Sequence, residues 1–232
     1  MSAEREQFLA ERRSGIGGSD VAAVLGLSPW KSAYELWADK TGRFVETPDE
    51  ARAERMHFGN VLEDVVAREY SARTATTLQR VNGMLRHPAV PCAIAHIDRA
   101  MVTPGSRARW DASAGRVLGA EGVLECKTAG ALSLQWGEPG TDEVPVHYWV
   151  QVQWYLGITG LPVADLACLF GGAHLRVYTI RADTAAFDDM LAAVGAWWAA
   201  HVDSDSAPAV RTEADARRRW VTHVAGRTIA VD

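Results

Sequence analysis

The chain is predicted to be an α/β protein with a central mixed β-sheet flanked by helices. Three features of the sequence predict this. Apolar residues recur at helical spacing within the first 72 residues. Short apolar segments of strand length then occupy residues 78–128. A nearly all-apolar helix, residues 146–158, leads into a pair of strands and a closing helix.

Residues 4–13 are charged and helical in character. Gly15-Ile16-Gly17-Gly18-Ser19-Asp20 forms a flexible turn, and Ser19 is the candidate N-cap of a short helix over Val21 to Leu25. Gly26 and Ser28-Pro29 stop that helix. The next starts at Ser32, where Glu35 completes a capping box, and ends at Gly42. Residues 43–50 read as a loop, and Leu62, Val65, Val66 and Tyr70 mark a third helix over 54–72.

Strands are expected at 78–86, 92–97, 99–103 and 121–128. Residues 104–119, rich in Gly, Ser, Ala and Arg, read as a long hairpin connection. Residues 130–145 are a second irregular stretch, and loops this long often carry function. Strands 163–170 and 174–181 are joined by Gly171-Gly172, and a last helix spans 184–201 with Phe187, Leu191, Val194 and Trp198 on one stripe. Residues 1–202 are read as one domain and 203–232 as a polar tail that turns basic at Arg217-Arg218-Arg219.

The bulk composition fits this reading. Of 232 residues, 48% are hydrophobic and 23% charged, enough for a packed core. The sequence lacks an apolar run of about 18 residues, the length a membrane helix needs, and its first residues do not resemble a signal peptide, so a cytoplasmic location is expected. Cys92, Cys126 and Cys168 are widely spaced and suggest neither a zinc site nor a disulfide framework. The net charge of −5 argues against a generic DNA-coating protein. It is compatible with a phosphodiesterase whose metal site is itself acidic and whose basic residues are concentrated locally.

The main chemical signal is Gly122-Val123-Leu124-Glu125-Cys126-Lys127-Thr128. Residues two apart in a strand share a face, so Glu125 and Lys127 project together while Leu124 and Cys126 point into the core. A carboxylate can hold a hard divalent cation. A neighbouring lysine can orient water or stabilise charge growing on a phosphate. By itself Glu-x-Lys is a weak signal, far more often a surface ion pair, and a metal needs further carboxylates. Asp98, at the end of a strand, and Asp111, a turn residue in the hairpin stretch, are both candidates. Glu63 is either a third site residue reaching over the sheet or solvated helix surface like Asp64. Gln151 and Gln153 lie in an otherwise apolar helix and need partners, either in the site or on the backbone.

Read in order, Ile16-Gly17-Gly18-Ser19-Asp20, Ser32-Ala33-Tyr34-Glu35-Leu36-Trp37 with Lys40-Thr41-Gly42, Gly59-Asn60-Val61-Leu62-Glu63, Asp98, Leu124-Glu125-Cys126-Lys127 and Tyr148-Trp149-Val150-Gln151 carry a family resemblance. The chain resembles the YqaJ-like viral recombinases, relatives of phage lambda exonuclease among the PD-(D/E)xK nucleases, across residues 10 to 200. Several blocks in order are more specific than any single motif.

The resemblance implies a restriction-endonuclease-like fold. It implies Asp98 and Glu125 as metal ligands with the Cys126 backbone carbonyl, Lys127 as the catalytic lysine, and Glu63 supporting a second metal or the water. Gln151 would position the site, and Asp98 is favoured over Asp111. Arg12 and Ser19 fall where a 5′-phosphate is held, a role that suits a guanidinium; Ser19 as a plain N-cap is the other reading. The implied cofactor is two Mg²⁺ ions, with Mn²⁺ as an alternative. The implied activity is 5′→3′ digestion of linear double-stranded DNA ends in phage-type recombination, within a bacterial host cytoplasm. A homotrimeric ring and a single-strand annealing partner are also implied. An endonuclease, or an inactive DNA-binding protein of the same fold, are the competing readings. The family usually has glycine after the aspartate, whereas this chain has Arg99, a bulky charge beside the expected metal site.

Overall fold

A computed structural model describes residues 10–43, 50–131, 133 and 135–220. Residues 10–13 are helical, in line with the predicted N-terminal helix, whose earlier part lies outside the described residues, as does most of the predicted 43–50 loop. Helices α1 (Gly18–Val24), α2 (Ala33–Lys40) and α3 (Glu50–Thr74) precede the sheet. Strands follow as β1 (Thr77–Gln79), β2 (Leu85–Arg86), β3 (Ile94–Ala95), β4 (Arg99–Val102), β5 (Arg109–Asp111), β6 (Arg116–Leu118) and β7 (Gly122–Ala129). After them come α4 (Val146–Thr159), β8 (Val163–Phe170), β9 (His174–Arg181), α5 (Thr184–Trp197) and α6 (Glu213–Arg219).

The main sheet has five strands in the order β1-β4-β7-β8-β9. Only β7 and β8 are parallel; the other neighbours are antiparallel, so the sheet is mixed as predicted. A parallel pair needs a crossover, and α4 supplies it. Alternation along β7 assigns the two faces. Leu124 and Cys126 pack with Val66, Ala67 and Tyr70 of α3. Val123 packs with Val150, Val152 and Trp154 of α4. Glu125 and Lys127, in phase with Val123, therefore share the α4 side. Among the described residues, no helix is long and apolar enough to cross a membrane.

Several local expectations need correction. Gly17, not Ser19, is the N-cap of α1, because the helix begins one residue before Ser19 and Asp20 accepts the Gly17 N–H. The strand expected at 78–86 is two short strands, parted by a turn in which Gly83 has φ +111°. The hairpin connection 104–119 contains a two-stranded ribbon, β5 with β6. Val65 is exposed, so the buried stripe of α3 runs through Val66, Ala67 and Tyr70. The buried stripe of α5 is Phe187, Met190, Val194 and Trp197, and a π-helical turn follows over Trp198–Asp203. Residues 213–219 form α6, docked back on the domain: buried Asp215 accepts from Ser32 Oγ at 2.5 Å and from the Arg211 and Thr212 N–H groups. Arg217 and Arg218 of the basic run pair with Glu213 and Glu35.

Candidate active site

The β4–β7 ladder stops at Arg99↔Leu124. One further step of that antiparallel register sets Asp98 opposite Glu125. Beyond the ladder the strands no longer pair, and the Cys126 N–H donates to Asp98 Oδ2 at 2.8 Å instead of to a backbone partner. The carboxylate thus replaces a missing sheet bond at the point where the strands part.

Glu125 is 2% exposed. Its Oε1 accepts from Gln151 Nε2 at 2.7 Å and pairs with Lys127 Nζ at 2.7 Å. Its Oε2 is buried, with no hydrogen-bond partner among the described residues. Gln151 also donates to Tyr155 Oη at 2.9 Å, one helical turn along α4. Lys127 lies 5.1 Å from the centre of the Tyr148 ring. Burial, and then the Glu125 charge, push the Asp98 carboxyl up to about 8. Burial disfavours the Lys127 ammonium, but Glu125 and Asp98 outweigh it and hold its pKa above the ordinary lysine range. A buried carboxylate oxygen without a partner beside a carboxyl that resists ionising is a site short of positive charge.

These residues fit a divalent cation. Among the described residues no three His, Cys, Asp or Glu side chains form a ready cage. Magnesium does not require one, since one or two carboxylates with water and substrate oxygens hold it. Asp98, Glu125 and the Cys126 carbonyl can supply such a partial set.

The predicted residues fall in three groups. Asp98, Glu125, Lys127 and Gln151 converge. Glu63 stands on α3 and is engaged elsewhere: Arg99 Nη1 donates to its Oε1 at 2.6 Å. Arg12 and Ser19 meet, Arg12 Nη2 lying 3.4 Å from Ser19 Oγ. Their turn sits against the site helix because Gly18 has no side chain; a Cβ there would fall 2.5 Å from the Tyr155 ring and 3.2 Å from Gln151. Asp111 is the last residue of β5, paired with Arg116, and its side chain caps the turn that follows, accepting from Ser113 and Ala114. Gln153 bonds backbone at Arg181 and Asp183.

Three contributors escaped sequence reading. Tyr148 and Tyr155 sit three residues before and four after Gln151, so helical spacing from that glutamine would have found them. Lys40, buried, donates to both the Arg12 carbonyl and Asp20 Oδ2 at 2.7 Å and pins the Arg12 turn; it stands in one of the blocks that carry the resemblance, but its role depends on tertiary packing.

Two solved structures share this architecture at low identity. An alkaline exonuclease (LHK-Exo) from Laribacter hongkongensis is 18% identical with a TM-score of 0.61, covering 87% of this chain and 94% of that one. A phage-related exonuclease from Haemophilus somnus 129PT is 11% identical with a TM-score of 0.53, covering 83% and 96%. The fold is the restriction-endonuclease-like α/β fold. Residues 7–162 match the YqaJ-like viral recombinase domain, and the chain belongs to that family. The protein YqaJ of Bacillus subtilis strain 168 is 37% identical over 208 residues, which cover 89% of this chain and 59% of YqaJ. The chain thus spans less than two thirds of the length of that relative.

Proposed function

We propose that this protein is a metal-dependent deoxyribonuclease, a 5′→3′ exonuclease acting on linear double-stranded DNA ends in phage-type recombination. The observation that carries the reading is the convergence of Asp98, Glu125 and Lys127 around the unpartnered Glu125 Oε2. Asp98, Glu125 and the Cys126 carbonyl would hold Mg²⁺ or Mn²⁺. The ion, when bound, supplies Lewis-acid stabilisation of charge on the phosphodiester oxygens.

The other roles follow from protonation and placement. Lys127 remains an ammonium at neutral pH, so it only donates; it orients the attacking water and stabilises charge growing on the phosphate rather than removing a proton. Gln151 fixes the Glu125 rotamer, and Tyr155 fixes Gln151. Arg12 and Ser19 hold the 5′-phosphate of the DNA end, a guanidinium suiting a phosphate through its forked donors. The protein works in the cytoplasm of a bacterial host as a homo-oligomer, a trimer by family likeness, and hands a 3′ single strand to an annealing protein.

The test is digestion of linear duplex carrying a label at the 5′-phosphate or at the 3′ end, beside a closed circle. Loss of the 5′ label first, with the circle intact, is the expected result. Cutting of the circle would make the protein an endonuclease, and binding without cutting would make it an accessory DNA-binding protein.

A further inference from the structure

Arg99 is 5% exposed, in a sheet position where a charge must find partners. It lies opposite Leu124, on the sheet face covered by α3. Its Nη1 donates to Glu63 Oε1 at 2.6 Å and to the Asp98 backbone carbonyl at 2.5 Å. Its Nη2 pairs with Asp64. A guanidinium does not lose its proton, so this buried charge is permanent and its anions are required. Asp64 is half-exposed and shared with Arg80, which leaves Glu63 as the better-buried counter-ion.

The site therefore has two places that call for positive charge. One, between Glu63 and the Asp98 backbone, is filled by the chain's own guanidinium. The other, at Glu125 Oε2 beside the Asp98 carboxyl, is filled by no side chain among the described residues. Alternation across β4 sends Asp98 toward Glu125 and Arg99 toward α3, while the Glu63 charge still reaches Asp98.

We propose that Arg99 is a resident cation that retains Glu63 as its counter-ion, so that the site takes a single divalent ion on Asp98, Glu125 and the Cys126 carbonyl. The inference rests on the metal-binding reading of Asp98 and Glu125 given above. It makes Arg99 a positioning residue, because its bond to the Asp98 carbonyl fixes the strand end that carries the ligand. Its guanidinium is committed to Glu63, Asp64 and the backbone and is not offered to a phosphate.

The experiment counts ions on the full chain, independently of activity. The metal-free protein is titrated with Mn²⁺ while the electron paramagnetic resonance of the free ion is followed. Wild type is expected to bind one ion per chain, and Glu63→Gln also one. Arg99→Met removes the charge while keeping the volume and frees Glu63, so it is expected to gain a second ion. Two ions of comparable affinity in wild type, loss of the only ion in a folded Glu63→Gln, or an unchanged count in a folded Arg99→Met would overturn the inference and leave the nuclease reading standing. No bound ion in wild type would overturn both. Should Arg99→Met fail to fold, the wild-type and Glu63→Gln counts decide by themselves.

Discussion

Raising the pH from 6 to 8 is expected to tighten Mg²⁺ binding steeply. The Asp98 carboxyl is pushed up to about 8, first by burial and then by the Glu125 charge. At pH 6 it is protonated in about 99% of molecules, yet it must be a carboxylate to hold the ion, so binding expels a proton. Apparent affinity then rises by up to about tenfold per pH unit, equivalent to about 1–3 kcal/mol between pH 6 and 8, before levelling off. The same shift acts on the metal-free fold. Between its ordinary value of 3.8 and about 8, Asp98 is protonated in the native state and ionised in the unfolded one. The native state binds more protons, so stability is greatest below the ordinary value and falls as pH rises through about 8, by at most about 1.4 kcal/mol per unit. Calorimetric Mg²⁺ titration in two buffers of different ionisation heat measures both the affinity and the protons released. Affinity that is flat from pH 6 to 8 with no proton release, or pH dependence that survives in Asp98→Asn, would refute the reasoning.

Three further outcomes follow from the same geometry. Gln151→Ala leaves Glu125 Oε1 with Lys127 alone and Tyr155 Oη without this donor, and turnover is expected to fall about 10–100-fold in a folded variant that is about 1–3 kcal/mol less stable; wild-type turnover would remove Gln151 from the site. Asp215→Ala removes the acceptor of three hydrogen bonds and is expected to cost about 2–3 kcal/mol in denaturant unfolding, whereas a loss under about 0.5 kcal/mol would mean that α6 is only loosely attached. Arg12→Ala is expected to lose about tenfold of the preference for 5′-phosphorylated over 5′-hydroxyl ends, measured as a ratio of digestion rates on the two substrates; an unchanged ratio would separate Arg12 from end recognition.

Elements whose limits depend on local chemistry were legible in the sequence. The strands at 163–170 and 174–181 match β8 and β9 residue for residue, because their apolar blocks are bounded by a proline and by Gly171-Gly172. The Ser32–Glu35 capping box forms as read, with Ser32 N–H donating to Glu35 Oε2 at 2.8 Å and Glu35 N–H to Ser32 Oγ at 3.0 Å. Where tertiary contacts decide, local reading stopped short. Asn82-Gly83 is a turn signal inside a stretch whose apolar content read as one strand, and the turn prevailed. The basic run at 217–219 looks like a loose tail until buried Asp215 ties it to Ser32.

The site divides along the same line. That Glu125 and Lys127 share a face follows from the two-residue period of a strand. That Asp98 rather than Asp111 stands beside them depends on the β4–β7 register, which resemblance supplied and composition did not. The engagement of Glu63 by Arg99 needs the packing of α3 on the sheet, which no local pattern encodes.

The most direct test of the central claim compares wild type, Glu125→Gln and Lys127→Ala on linear duplex DNA, with Mg²⁺ and with EDTA, reading release of acid-soluble nucleotide. Release is expected from wild type with Mg²⁺ only, with a fall of about 10²-fold or more in both variants while they still bind the duplex. Release in EDTA, or variants that keep more than about a tenth of the wild-type rate, would contradict it.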